Sequence, residues 1–181
     1  MSASVRFDRD HGVATGTPPK GSSRSTDVQD VNWKNSDVES DTFQSRPIVD
    51  GNNSYVNWIF ARFSGTYTSI SNIKFGHTAG VLPFGVKLFG APDCTNDATA
   101  LPYTTPTPST KAELVDFTEV LPISYGKSVC VGATDPGATG KASSTTSNPA
   151  YTNYLPTQLR LDGAQSGDLP SITVTLQYDE S

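Results

Sequence analysis

Residues 53–88, NSYVNWIFARFSGTYTSISNIKFGHTAGVLPFGVKL, constrain the fold more than any other part of the chain. They read as three consecutive strands joined by short glycine-containing turns. Successive side chains of a strand point to opposite faces. Over residues 55–63 this places Val56, Trp58, Phe60 and Arg62 on one face, and Tyr55, Asn57, Ile59, Ala61 and Phe63 on the other. Both rows are largely apolar, so the strand is expected to be covered on both sides. Ser64-Gly65 ends it. Ile70, Ile73 and Phe75 begin a second strand, a break is expected across residues 76–80, and Val86 and Leu88 mark a third.

At 181 residues the chain suits one well-buried domain. Only 35% of residues are hydrophobic and only 17% are charged. The balance falls to Ser, Thr, Asn, Gly and Pro, the composition of strands joined by many turns. A net charge of -5 and a pI near 4.8 argue against a nucleic-acid or anionic-membrane binder, which needs basic surface. No apolar run approaches the length of a membrane span. The opening MSASVRFDRDHG lacks an apolar leader core, so export by that route is not expected.

Residues 1–26 show almost no apolar periodicity and are expected to form an extended N-terminal arm. In it Arg6, Arg9, Lys20 and Arg24 outnumber Asp8 and Asp10, so a weakly basic arm would precede an acidic body. Such an arm suits docking on an acidic neighbour. Residues 27–181 are expected to form a single β-sandwich domain, with Trp33 anchoring the segment before the central strands.

Residues 90–110 hold Pro92, Pro102, Pro106 and Pro108, which cannot donate to a sheet ladder, and read as a long surface loop. A loop of that length is a candidate contact surface, with Tyr103 at a short edge strand. Strands are expected over residues 112–117 and 127–132, and a second long loop over 133–153. Leu159 and Leu161 face inward in the next strand, with Gln158 and Arg160 outward. In the last, Ile172, Val174, Leu176 and Tyr178 share one face. The fold class is all-β, an antiparallel β-sandwich that includes jelly-roll-like arrangements.

Chemical motifs are few. Gly126-Lys127-Ser128 lacks the first glycine and the following helix of a phosphate loop. His11 and His77 have no metal-binding spacing around them, and His77 reads as a surface or edge residue. No nucleophile elbow occurs, and no carboxylate pair stands out among residues such as Asp37, Glu39 and Asp41. Cys94 and Cys130 are too few for a disulfide scaffold or a four-ligand zinc site; Cys130 in SVCVG reads as a small buried hydrophobe, with a single bond between the two cysteines as the alternative. No catalytic residue, metal or cofactor is therefore assigned. Trp58, Tyr67, Tyr103, Tyr151 and Tyr154 suggest a sugar-stacking surface, against which stands their use as core and loop anchors.

The run SYVNWIFARFSGTYTSISNIKF followed by LPFGVKLFG resembles a group of small structural proteins of tailed bacteriophages. The C-terminal TQLRLDGAQSGDLPSITVTLQYDES is similar to their ending, and VNWKNSD and RPIVDGNNS also fit. The likeness covers roughly residues 27–88 and 155–181. It implies a non-enzymatic virion component made in the bacterial cytoplasm: a capsid decoration (cement) protein or a neck, tail or baseplate protein. The partners it implies are major capsid or tail and neck subunits and further copies of the chain, with no direct nucleic acid and no membrane. The candidate subunit contacts are Arg6, Arg9, Lys20 and Arg24 of the arm, with Pro92, Tyr103, Pro106 and Pro108 of the 90–110 loop. A competing class is a carbohydrate-binding module for host-surface glycans.

Overall fold

The computed structural model describes residues 2–11, 23–90, 115–136, 141–164 and 169–181. Among them there is no α-helix, and every strand pairing is antiparallel. The strands are β1 (Ala3–Asp10), β2 (Arg24–Ser25), β3 (Asn57–Gly65), β4 (Ile70–Ala79), β5 (Val86–Gly90), β6 (Val115–Asp116), β7 (Lys127–Ser128), β8 (Val131–Gly132), β9 (Ser144–Thr145), β10 (Ala150–Thr152), β11 (Leu155–Leu161) and β12 (Thr173–Glu180). A 3-10 turn at Ile123–Tyr125 precedes β7.

One sheet runs β2-β1-β3-β11-β5-β6, with β10 on β3 and β8 on β10. The other runs β12-β4-β7, with β9 also on β4. Ile59, Ala61, Phe63, Leu88, Leu155 and Leu159 of the first sheet share one hydrophobic core with Ile70, Ile73 and Phe75 of the second. These rows are the alternate positions that an extended chain turns to one side. The arrangement is consistent with the expected sandwich.

The expectation for β3 holds on both faces. Ile59, Ala61 and Phe63 enter the shared core, whereas Val56, Trp58 and Phe60 form a second cluster with Tyr154. Trp33 packs against the shared core and its indole Nε1 donates to Thr157 Oγ1 at 3.2 Å.

Several expectations are corrected. Within the expected extended arm, residues 3–10 are a strand of the body: β1 pairs with β3 along its whole length, from Ala3 opposite Gly65 to Asp10 opposite Trp58. Its apolar positions Ala3, Val5 and Phe7 pack on the shared core. Charged residues interleave with them, which hides the alternation from a reading of hydrophobicity. β4 does not break at residue 76. Gly76 lies inside the strand, where an added Cβ would stand 3.3 Å from Gly126 Cα, so the glycine admits the neighbouring backbone.

Residues 133–153 are not one loop, since they include β9, β10 and a bridge between Val131 and Ala142. Small residues suit this: Ala150 and Thr152 are fully buried, and Thr152 Oγ1 accepts a bond from Ala61 N. Gln158 is buried rather than outward, its Nε2 donating to Ser54 O at 2.9 Å. Cys130 is not a free thiol: it is disulfide-bonded, and the sequence's other cysteine, Cys94, lies outside the described residues.

Candidate interaction surface

The three arginines assigned to subunit contacts, Arg6, Arg9 and Arg24, each pair with a carboxylate within the fold. Asp10 is completely buried at the end of β1, on the face of β3 that carries Trp58 and Phe60. Arg24 grips it in a fork, Nε to Oδ1 at 2.6 Å and Nη2 to Oδ2 at 2.9 Å. The Tyr154 hydroxyl donates to Oδ2 at 2.6 Å. Arg24 also lies 4.7 Å over the Phe60 ring and reaches Asp135 at 3.3 Å. Three donor contacts and a cation–π contact offset the cost of burying this carboxylate.

The consequences appear in proton affinities. The side-chain bond to Asp10 holds the Arg24 guanidinium above its ordinary pKa, against the opposing effect of burial. Burial first, and the bond to Asp10 second, push the Tyr154 phenol above its ordinary pKa.

Arg9 is buried and meets Glu39 Oε2 at 3.3 Å, while Arg6 pairs with the buried Asp8 at 3.0 Å. Arg9 ties β1 to the segment that carries Glu39, the Arg6–Asp8 pair lies within β1, and the fork at Asp10 secures the chain re-entering at β2. Lys20, Pro92, Tyr103, Pro106 and Pro108 lie outside the described residues.

Two lysines do similar work. Lys34 is buried, and its Nζ donates to the carbonyl oxygens of Val38 (2.6 Å), Glu39 (3.3 Å) and Asp41 (2.5 Å). Burial, then the nearby Arg9 charge, lower its pKa. Lys141 Nζ donates to Thr134 O and to Tyr151 O. Lys34 gathers carbonyls of irregular chain, and Lys141 links one such carbonyl, Thr134 O, to Tyr151 O of β10.

The aromatic residues singled out for sugar stacking do not form an exposed platform. Trp58 and Tyr154 are buried edge to face, with centroids 5.4 Å apart. Tyr151 packs against the same cluster beneath Arg62, and the Tyr67 hydroxyl donates to Ser147 O. Tyr103 lies outside the described residues.

His77 is likewise corrected: it is buried, not superficial. Its Nδ1 stands 3.0 Å from Phe117 O and its Nε2 2.9 Å from Ala79 O, so both nitrogens are engaged by backbone. The ring ties the end of β4 to the chain leaving β6. Among the described residues no three His, Cys, Asp or Glu side chains are grouped to hold a metal ion. No helix among them is long and apolar enough to cross a membrane.

What the fold turns outward is apolar and lies at this same end of β4. A cleft of about 330 Å³ is lined by residues that include His77, Asp116, Phe117, Glu119, Leu121 and Tyr125. Val120, Leu121 and Tyr125 at its side are exposed, Tyr125 to 72%. Beyond Ala79 the chain turns through residues 80–85 into β5, and here Val81 is 81% and Phe84 91% exposed.

The turn is held firmly. Gly80 and Gly85 both have positive φ, and a Cβ would meet Ser171 O at 2.6 Å or Ala164 N at 2.6 Å. Leu82 packs into the shared core between the two outward side chains. The turn thus leaves a large aromatic side chain, Phe84, almost wholly in solvent. Sequence reasoning passed over it, although Pro83-Phe84-Gly85, a large aromatic between turn-forming residues, was a usable signal.

No family model, curated protein or solved structure matches the chain.

Proposed function

We propose that this chain is a non-enzymatic structural component of a bacteriophage virion, a decoration protein that stabilises neighbouring capsid subunits. Two things support this reading. One is the resemblance of residues 27–88 and 155–181 to small tailed-phage structural proteins. The other, which carries it, is the turn at residues 80–85, which leaves Val81 and Phe84 exposed. In this reading Phe84 is the side chain that a neighbouring virion subunit buries, while the arginines of β1 and β2 serve internal cohesion.

The test is cryo-electron microscopy of the virion, combined with a Phe84→Asp variant. Density for this chain on the capsid lattice, with Phe84 in a neighbour's surface, is expected, and the variant should lose occupancy while remaining folded. A ring of this chain at the neck or tail would replace the decoration role with a connector role. Absence of the chain from the particle would overturn the virion assignment.

A further inference from the structure

The two sheets end differently. The outer edge of β1 is covered by its own chain: β2 pairs with Arg9 and Asp10, Val28 N donates to Phe7 O at 2.8 Å, and Asp27 N donates to Asp8 Oδ1. β12 is equally long but pairs with β4 alone, and its other edge has no backbone partner among the described residues. Its outward side chains are Thr173, Thr175 and Gln177, without the lysine or proline that usually blunts an exposed edge.

The core is unfinished along this same edge. Ile70, Ile73 and Phe75 on β4 are at most 2% exposed, whereas Val174, Leu176 and Tyr178 on β12 face the same core and remain only half buried. A row of open backbone groups thus runs beside a row of incompletely covered apolar side chains.

We propose that β12 pairs antiparallel with β12 of a second copy, joining the two four-stranded sheets across a two-fold axis near Leu176. This reading is independent of the virion assignment. Antiparallel pairing about Leu176 sets Val174 opposite the second copy's Tyr178 and Thr175 opposite its Gln177, so apolar meets apolar and polar meets polar. The acidic end decides the direction. A parallel pair would align Asp179 and Glu180 with their own copies, whereas the antiparallel pair separates them to opposite ends. The ladder with β4 is regular from Val174 to Gln177 and irregular on either side, so the joint is centred on that regular stretch.

Sedimentation equilibrium of the full chain over a concentration series tests this, comparing wild type with Thr175→Lys/Gln177→Lys and with Phe84→Asp. Both positions lie on the outward face of β12, and the proposed register sets the lysine at 175 directly opposite the second copy's lysine at 177. Wild type and Phe84→Asp are expected to dimerise, and the double-lysine protein to do so at least about tenfold more weakly, a change of about 1.4 kcal/mol. Amide hydrogen exchange over residues 174–178 should slow as wild-type concentration rises. Wild type that stays monomeric throughout, or a folded double-lysine protein that dimerises as well as wild type, would overturn the proposal. Loss of dimers in Phe84→Asp alone would also overturn it, placing self-association at the 80–85 turn.

Discussion

The two faces of β3 are held by different physics. Toward the second sheet, Ile59, Ala61 and Phe63 lie in the shared hydrophobic core, and Phe63 stacks edge to face on Tyr178 at 5.0 Å. On the reverse, Trp58 and Phe60 surround Tyr154, whose hydroxyl ends on a carboxylate that Arg24 also binds. The first face is stabilised by area removed from water, which has no direction and tolerates similar shapes. The second depends on distances and donors, because a buried carboxylate is costly unless its partners are all in place. The aliphatic face joins the sheets, and the aromatic and charged face locks the N-terminal strand.

The largest effect should come from the apolar face. Phe63→Ala removes a completely buried ring and should cost ~3–5 kcal/mol in urea unfolding, the range for such cavities. A loss below about 1 kcal/mol would mean that the two sheets do not share this core.

The charged face should behave non-additively. Asp10→Ala strands Arg24 and the Tyr154 hydroxyl and should cost about 3 kcal/mol, toward the low end for a broken buried pair because Arg24 is partly exposed. The double change Asp10→Leu/Arg24→Met removes both charges and should cost less than Asp10→Ala alone. If the two changes simply add in a double-mutant cycle, the fork contributes nothing specific.

The smallest effect is the loss of one hydroxyl. Tyr154→Phe should cost about 1 kcal/mol near neutral pH. It should also change the alkaline limb. Because the folded phenol has a raised pKa, its contribution is complete below the ordinary tyrosine value of about 10 and is lost as pH rises above it, where the unfolded chain ionises first. Wild-type stability should therefore fall more steeply above about pH 10 than that of Tyr154→Phe. Parallel curves would remove the phenol from the network.

The central strands were legible because side-chain alternation is local. Val56, Trp58 and Phe60 against Ile59, Ala61 and Phe63 could be sorted without knowing what covers either row. The alternation of Val174, Leu176 and Tyr178 was equally plain. The role of β1 was not, since its Arg9 and Asp10 look solvated until partners 14 to 144 residues away are brought to them. His77 and Gln158 were misplaced for the same reason: each is buried beside a distant carbonyl, of Phe117 or Ser54, that its polar side chain meets.

What the sequence by itself determined is the all-β class, the two-sided burial of β3 and the inward row of β12, because the period of two is a property of the extended chain. Only the tertiary structure decided which charges are buried, that Cys130 is bonded, that Phe84 is exposed and that β12 pairs on one edge alone among the described residues. Those outcomes depend on which remote segments meet, and the free energy of a polar group depends on the partner it finds rather than on its neighbours in sequence.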